Sequence, residues 1–470
     1  MDEAASYGFA HFPLRVLWST VLEPNPPLYY SIQKISLFFG SSEALLRLVP
    51  AVIGTASVPL IYLLARLFNS SSTGLIAAAL LATSPVHIQY SQEARGYVLL
   101  MAASIVVVWA IATVYQLEEP SRRLSRSANS RVWGAYVFGL LVALYTHNTA
   151  AILWLVANIM LFARWFVEPK GSMQVLRFWI GANALVLAGW SWWLPAVIGQ
   201  SVHALNDFWI WRPTAMQAIG MTEAVYGQMW LLEGQPLVTP AFIAIGFLGV
   251  YCLWKRSPWW AILAAGFVLL PPVLTYSISY IRPIMLVRTL LWPLPIFIVL
   301  VGLAVDSIRP RWLVLPAMTL LIAIQGAGLI NYYSSSAKAE PWDEIVTHIQ
   351  RGSALSDSVV LFCAPDGIIP FSYYASRFGF SRREYAISDS TEPSWRRMLV
   401  HALAPALASV APNQLSEIVS QYEQVWLVER SCDLSDLVRS ALTNVKPIST
   451  SHSFSHIEIS LFTNRPEPAT

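Results

Sequence analysis

The sequence predicts a polytopic α-helical membrane protein with a small α/β domain at its C-terminal end. Hydrophobic residues make up 56% of the 470 residues and charged residues only 12%, about half the charged share of a soluble globular domain. The charges are unevenly placed, because residues 332–470 hold 26 of the 57 charged side chains. This composition excludes a disordered chain, a coiled coil and an ordinary cytosolic enzyme.

Apolar segments long enough to cross a bilayer fill the first part of the chain. A span needs about 20 apolar residues. Ten stretches qualify or nearly do, at roughly 45–67, 74–90, 97–117, 132–147, 149–167, 178–198, 238–254, 259–278, 286–305 and 312–331. Residues 27–39 form a shorter apolar stretch that favours an interfacial helix. We therefore expect a transmembrane domain over residues 1–331 and a separate domain over residues 332–470.

Basic residues in the loops predict the orientation of these spans. One set of loops holds twelve Lys and Arg residues and the opposite set holds seven, so the first set is expected in the cytoplasm. The N-terminus and the C-terminal domain then both lie outside. An exterior N-terminus with no preceding apolar segment has nothing to export it. Our hypothesis is that a first transmembrane helix is missing from this chain.

The C-terminal segment has the pattern of a layered α/β domain. The expected strands are Val359–Cys363, Gln424–Val428 and Ile457–Phe462, and the expected helices are Trp342–Arg351, Gln414–Tyr422 and Leu434–Leu442. No glycine-rich phosphate loop follows a strand, and no basic run suggests nucleic acid. In an exterior domain Cys363 and Cys432 form either a disulfide or two free buried thiols.

Acidic side chains on the expected outer face are few, and each is a functional candidate by its position. Asp2 and Glu3 begin the chain, and Glu93 lies at the hinge between two spans. Together they could take a proton and hold a divalent cation. The simpler interpretations are a solvated terminus for Asp2 and Glu3, and an interfacial ion pair between Glu93 and Arg95.

Basic and aromatic side chains share that face. Arg282 and Arg288 lie at the outer end of another span, where guanidinium groups match phosphate oxygens. They could equally extend towards lipid headgroups. His147 ends a further span, where it could bind a ligand or act as an interfacial polar cap.

Several motifs, in their order and spacing, resemble a known enzyme family. They are residues 2–4, 24–30, 40–50, 84–97 and 145–147. Together these segments resemble the bacterial C-type membrane glycosyltransferases, and more narrowly glycosyltransferase family 39, the protein-mannosyltransferase-like and aminoarabinose-transferase-like group. The resemblance is strongest over residues 1–150 and weaker to about 331. In that family the first acidic pair follows a first transmembrane helix, whereas here it begins the chain.

The resemblance implies an activity and a location. A sugar would pass from a polyprenyl-phosphate donor to an acceptor hydroxyl on a saccharide, lipid or protein, at the outer face of the bacterial inner membrane. Asp2 matches the family's base, with Glu3 as second choice. Glu93 matches a second acidic motif, which would help Asp2 hold a divalent metal cation or would position the acceptor.

The chemistry of a lipid-phosphate donor suggests which residues would bind it. Arg95, Arg282 and Arg288 would stabilise the departing lipid phosphate, since cationic groups offset its growing charge. Tyr97 and His147 would hydrogen-bond the phosphate or the sugar.

Two other classes of protein remain open. A transporter or flippase would place ionisable groups near the bilayer midplane and would often show inverted repeats. A non-catalytic membrane scaffold would act through its C-terminal domain. Charges near the bilayer midplane would favour the transporter. A partner of the C-terminal domain, with no sugar transfer by the full-length protein, would favour the scaffold.

Overall fold

A computed structural model describes residues 2–19, 25–117, 126–167, 173–199, 210–228, 238–335, 340–353, 357–388, 394–432 and 434–464. The chain divides into two compact units. The membrane unit comprises Pro24–Ser201 and Trp209–Ser335, and the tail unit comprises Met1–Glu23, Val202–Phe208 and Ser336–Thr470. Residues 1–23, which the sequence analysis assigned to the transmembrane domain, thus cluster with the C-terminal residues. The division at residue 331 stays a prediction.

The chain begins with two short helices of the tail unit, α1 (Asp2–His11) and α2 (Leu14–Ser19). The membrane unit is helical in its described residues. Its helices are α3 (Leu28–Leu37), α4 (Glu43–Leu46), α5 (Leu48–Phe68), α6 (Ser71–Ala82), α7 (Pro85–Ser91), α8 (Tyr97–Leu117), α9 (Arg126–Thr146), α10 (Ala150–Val167), α11 (Met173–Trp190), α12 (Ala215–Tyr226), α13 (Val238–Trp254), α14 (Pro258–Ser279), α15 (Leu294–Asp306) and α16 (Val314–Ser335).

Membrane-spanning helices make the chain an integral membrane protein. Within the described residues, six segments are long and apolar enough to cross a bilayer: Leu48–Phe68, Tyr97–Gln116, Ala150–Val167, Met173–Gly199, Pro258–Ser279 and Arg311–Ser334. The bent pair α6 and α7 would make a seventh, and α13 and α15 contain shorter apolar helices. Nine of the ten predicted stretches fall on helices over most of their length, whereas 286–305 starts with a 3-10 turn at Val287–Leu290 and becomes α-helical only at Leu294. Length and composition alone support six or seven spans.

The predicted span at 74–90 is divided into two helices. Helices α6 and α7 meet at an angle of 60°. Pro85 opens α7, and the Ser84 hydroxyl caps it by accepting from the His87 amide at 3.3 Å. Because proline lacks an N–H group and clashes with the preceding turn, α6 ends at Ala82 instead of continuing. The predicted short helix at 27–39 is present as α3, and Phe38 at its end is 86% exposed.

Two helices form the centre of the membrane unit. Every residue of α15 is buried, and so is 78% of the most apolar 18-residue stretch of α8. The Ser104 hydroxyl of α8 donates to the carbonyl of Trp292, two residues before α15, at 2.7 Å and so links α8 to the segment that leads into α15. Surrounding helices expose large apolar side chains, among them Phe138, Leu185 and Leu315. Such side chains are expected where a helix faces lipid.

Helices α13 and α15 approach closely because two glycines lie between them. A Cβ atom built on Gly249 would collide with the Leu300 carbonyl, and one on Gly246 would collide with the Phe297 ring. Small residues let membrane helices pack backbone to backbone. These two glycines therefore allow the close packing of α13 against α15.

A buried carboxylate joins two turns of the membrane unit. Asp306 is 1% exposed and accepts from Thr73 Oγ1 at 2.6 Å, Asn69 Nδ2 at 2.7 Å and Ser70 Oγ at 2.8 Å. Arg311 Nη1 adds an ion pair at 2.8 Å. Paired and hydrogen-bonded burial of this kind is tolerated, whereas removing one partner is strongly destabilising. Asp306 thus connects the α5–α6 turn to the α15–α16 turn.

The tail unit contains a six-stranded mixed sheet in the order β3-β2-β1-β4-β6-β5. Strands β1, β2, β3 and β4 pair in parallel, while β6 is antiparallel to β4 and β5. The strands are β1 (Ser358–Phe362), β2 (Arg383–Ile387), β3 (Ala408–Val410), β4 (Gln424–Arg430), β5 (Ile448–Phe454) and β6 (Ile457–Thr463). The helices are α17 (Trp342–Gly352), α18 (Ile368–Phe378), α19 (Ser394–Leu403), α20 (Leu415–Val419) and α21 (Ser435–Val445).

The predicted α/β character of this segment is confirmed. All three expected strands and all three expected helices are present within a few residues of their predicted bounds. Cys363 and Cys432 are disulfide-bonded, with Cα atoms 5.7 Å apart, so the first of the two interpretations left open is correct. Their bond joins the segments that follow β1 and β4.

The close contact between α13 and α15 gives a stability prediction. Gly249→Ala should lower the free energy of unfolding in detergent by about 1–3 kcal/mol, and with it the melting temperature, because the added methyl group collides with backbone that cannot move aside. Gly181→Ala is the matched control, since a Cβ there meets nothing within 4 Å. The control should be neutral or slightly stabilising. Equal melting temperatures for both variants would contradict the packing described for Gly249.

Candidate functional site

The turn between α7 and α8 forms the framework of the site. The Arg95 amide donates to the Glu93 carbonyl at 2.6 Å, which tightens the turn. A Cβ built on Gly96 would lie 2.7 Å from Thr146 Cγ2 and 3.3 Å from Tyr29 Cβ. Glycine is therefore needed here because the chain passes between α3 and the end of α9. This close passage brings the Glu93–Tyr97 segment beside residues from two other helices.

Arg95 is buried at the start of α8. Its side chain is 9% exposed, and Nη1 donates to the Tyr30 hydroxyl of α3 at 3.0 Å. A buried guanidinium is costly unless its donors are satisfied. The Tyr30 hydroxyl therefore both stabilises the charge and fixes where the guanidinium lies.

Tyr97 is the centre of an aromatic and cationic cluster. Its ring centroid lies 5.5 Å from that of Tyr90 and 5.8 Å from that of His147. The guanidinium carbon of Arg288 lies 6.0 Å from the same ring, within the range of a cation–π contact. Four predicted site residues, Arg95, Tyr97, His147 and Arg288, are thus brought together from three separate segments.

His147 is a neutral hydrogen-bonding group. It lies between α9 and α10, at the end of the predicted span 132–147 and near the positive charges of Arg288 and Arg95. The Thr149 amide donates to His147 Nδ1 at 3.2 Å, and the Thr149 hydroxyl lies 2.8 Å from the same atom. Because Nδ1 accepts, the proton of the neutral ring is on Nε2. His147 can therefore donate a hydrogen bond to an anionic ligand.

The remaining candidates are less enclosed or lie elsewhere. The Glu93 and Arg282 side chains are partly buried, and Arg282 follows α14 in the segment that leads to Arg288. Asp2 and Glu3 lie in the first turn of α1, in the tail unit. Glu3 is partly buried, whereas the Asp2 side chain lies outside the described residues. The predicted roles of all these residues stay predictions.

The expected divalent cation finds no complete set of ligands in the part of the chain that the structure describes. No group of three or more His, Cys, Asp or Glu side chains there is arranged to hold a metal ion. The other expected ligand, the Asp2 carboxylate, is outside that description.

An apolar cavity of about 630 Å³ lies between α12, α13, α14 and α15. Its walls are the apolar faces of these helices, with Thr222, Glu223 and Tyr226 as polar exceptions on α12. Met285 also lines it, three residues before Arg288. The cavity therefore borders the segment that supplies a cation to the Tyr97 cluster. The sequence does not predict this cavity, because no local pattern indicates a space between four helices.

Comparison with protein families confirms the resemblance seen in the sequence. Residues 24–194 match the family described as dolichyl-phosphate-mannose-protein mannosyltransferase. The match includes Glu93, Arg95, Tyr97 and His147. No curated protein matches the sequence significantly. The chain thus resembles the C-type membrane glycosyltransferases, as its motifs predicted.

Solved structures with the same fold support this. The apo structure of ArnT from Cupriavidus metallidurans superposes with a TM-score of 0.67 at 12% identity, covering 98% of this chain and 93% of that one. ArnT bound to undecaprenyl phosphate gives the same values. The apo oligosaccharyltransferase of Archaeoglobus fulgidus gives a TM-score of 0.54 at 10% identity, covering 91% of this chain and 65% of that one. At these identities the likeness establishes the fold.

The contact between Arg95 and Tyr30 gives a prediction. Tyr30→Phe should lower the free energy of unfolding by about 1–3 kcal/mol, since a buried charged donor loses its acceptor. Tyr251→Phe is the matched control, because Tyr251 is 57% exposed on α13, and should change stability little. Thermal unfolding in one detergent checks both. A Tyr30→Phe variant as stable as the control would show that the Tyr30 hydroxyl does not stabilise Arg95.

Proposed function

We propose that the protein, as a chain resembling the C-type membrane glycosyltransferases, transfers a sugar from a polyprenyl-phosphate-linked donor to an acceptor hydroxyl. The observation that carries this proposal is the cluster of Arg95, Tyr97, His147 and Arg288 beside a large apolar cavity. A lipid phosphate needs cations for its head and an apolar surface for its tail, and both lie in one unit here.

The head of the donor would be bound by the cluster. Two guanidinium groups offset the charge that grows on the phosphate as the sugar leaves, and such preorganised charge is often the largest catalytic contribution. His147 would donate from Nε2 to a phosphate or sugar oxygen. Tyr97 contacts both Arg288 and His147, and Arg282, in the segment before Arg288, is proposed as a further phosphate contact.

The tail of the donor would occupy the cavity between α12 and α15. Its volume of about 630 Å³ is typical of sites for small organic ligands, and its walls are chiefly apolar. Met285 lines it next to the Arg288 segment, so a prenyl chain there could continue into the cationic cluster. The undecaprenyl phosphate bound to ArnT, which has the same fold, supports this class of donor.

The reaction would be a single displacement at the anomeric carbon. The acceptor oxygen forms the new bond to that carbon, the bond to the phosphate oxygen breaks, and the polyprenyl phosphate leaves with the electron pair. We assign Asp2 as the base that takes the acceptor proton, Glu3 as second choice, and Glu93 as the residue that positions the acceptor. A carboxylate suits this role when it lies within hydrogen-bond reach of the hydroxyl.

The location of the protein is proposed from its charges and its disulfide. The excess of basic residues in one set of loops favours ten spans with the tail unit outside the cytoplasm, in the bacterial inner membrane. The Cys363–Cys432 bond supports an exterior tail unit, because disulfides persist in oxidising compartments. The sugar and the acceptor are to be identified by deleting the gene and analysing envelope glycans by mass spectrometry.

Substitutions in the cluster test the donor site. Arg95→Gln and Arg288→Gln should each lower transfer about 10²–10³-fold, as the loss of a charge-stabilising donor does in other enzymes. Both should also weaken binding of undecaprenyl phosphate, measured by native mass spectrometry. Arg66→Gln, an exposed arginine in the last turn of α5, is the control and should match the parent. Unchanged binding in both cluster variants would contradict the assignment.

Substitutions of the acids test catalysis separately from binding. Asp2→Asn and Glu93→Gln should abolish most transfer, by about 10²–10⁴-fold for the base, while undecaprenyl phosphate still binds. The comparison should be repeated with a chelator to test the expected divalent cation. A transporter or a scaffold would give no transfer in the parent chain, and full transfer in both variants would refute the roles of these acids.

The state of the cysteines tests the exterior location of the tail unit. In protein denatured straight from cells, Cys252 alone should react with a maleimide. Cys363 and Cys432 should react only after reduction, because a cytoplasmic domain would be kept reduced. Mass spectrometry counts the labelled thiols. Three labelled thiols before reduction would contradict an oxidising location.

A further inference from the structure

We propose that the tail unit holds α1 in a fixed position, and that Tyr373 and Leu403 are positioning residues for the acidic pair in the first turn of α1. This inference rests on the proposed function, because it assumes that Asp2 or Glu3 is the base. It gives a positioning role to a domain whose sequence does not by itself indicate a function. The contacts that support it lie entirely within the tail unit.

Helix α1 is held on two neighbouring helices. The Tyr7 ring meets the Tyr373 ring of α18 edge to face, with centroids 4.9 Å apart. Gly8 lies against α19 so closely that an added Cβ would be 2.8 Å from Leu403 Cδ2. Phe9 is also almost fully buried. A helix of ten residues is marginal on its own in water, so these contacts determine its position.

The two supporting helices are tied to a single buried carboxylate. Asp366 is 1% exposed and lies between β1 and α18, which starts two residues later. Its Oδ1 pairs with Arg396 of α19 at 3.3 Å, and its Oδ2 pairs with Arg430 at the end of β4 at 3.0 Å. Arg430 also pairs with Glu340 at 2.7 Å. Displacing Asp366 would therefore loosen both helices that hold α1.

These ion pairs lie at the switch point of the sheet. Strand β1 has β2 on one side and β4 on the other, so the connections leave in opposite directions. In open α/β sheets the carboxyl ends of such strands usually form a ligand-binding crevice. Here the Cys363–Cys432 bond and the Asp366 pairs join the ends of β1 and β4 instead. The position that would normally bind a ligand is thus built as a rigid support.

A rigid support matters because a base acts only at short range. Asp2 and Glu3 lie at one end of α1, while Tyr7 and Gly8 hold its middle. A tilt about the middle therefore moves the carboxylates directly. A misplacement of about 1 Å at a reacting group can lower the rate about 10²-fold. Binding of the lipid donor should be unaffected, because the cluster around Tyr97 is in the membrane unit.

A size exchange across the α1–α19 contact tests the inference in the full-length protein. Gly8→Leu should lower kcat about 10-fold or more by pushing α1 away, with the affinity for undecaprenyl phosphate unchanged. Leu403→Ala in the same chain makes room for the new side chain and should restore most of kcat. A purely structural defect would instead lower expression and lipid binding together, and the second substitution would not restore transfer.

A second pair of variants tests the support without touching α1. Tyr373→Ala and Asp366→Asn should also lower kcat while leaving undecaprenyl phosphate binding intact. Arg439→Gln is the matched control, because it breaks the buried pair with Glu429 and the 2.8 Å pair with Glu458 on β6. It should destabilise the tail unit without changing kcat.

The outcomes separate this inference from the proposed function. Transfer by the parent chain together with a normal kcat in Gly8→Leu and Tyr373→Ala overturns the inference alone. An equal loss of kcat in Arg439→Gln also overturns it, since general destabilisation would then suffice. Absence of transfer by the parent chain overturns the proposed function, and the inference with it.

Discussion

Burial of the Arg95 guanidinium at the start of α8 is the constraint on which the site depends. A charge at this depth must be satisfied by fixed partners, and the Tyr30 hydroxyl supplies one. Directly after Arg95, the chain passes between Thr146 and Tyr29 at Gly96, where a larger residue would collide with both side chains. That passage also places Tyr97 against His147 and Arg288. One buried cation thus organises three segments that are far apart in the sequence.

The membrane unit uses its few charges at helix ends, with different consequences. Around Asp306, three hydrogen-bond donors and the Arg311 guanidinium surround one carboxylate, which links the α5–α6 turn to the α15–α16 turn. Around Tyr97, the Arg288 guanidinium and the His147 ring both approach one aromatic ring, and Arg95 lies two residues before it in the chain. The Asp306 arrangement is a closed structural network. The Tyr97 cluster is the one that we propose for the phosphate of a lipid donor, whose prenyl chain would occupy the apolar cavity.

The sequence predicts much of this architecture, because apolar runs and amphipathic patterns are local properties. Most helices of the membrane unit and three strands of the tail unit follow directly, but α12 was not predicted. The break at Ser84–Pro85 was overlooked because hydropathy alone joins α6 to α7. The sequence does not predict the other three strands. Strands β3 and β5 are the edges of the sheet, and β2 is exposed or only partly buried over its first three residues. The sequence predicts Arg95, Tyr97, His147 and Arg288 individually, but whether these side chains lie close together depends on tertiary packing. The cavity, the Asp306 network and the contacts that hold α1 leave no local signal, since each is assembled from distant segments.

We propose that the lipid donor binds in the membrane unit and that an acid of α1 is the base. A structure of the protein with a polyprenyl phosphate bound tests the donor half of that proposal most directly. We expect phosphate density between Arg95 and Arg288, within hydrogen-bond reach of His147, and prenyl density continuing past Met285 into the cavity lined by α12 and α15. Phosphate density away from both arginines, or a prenyl chain outside that cavity, would contradict it.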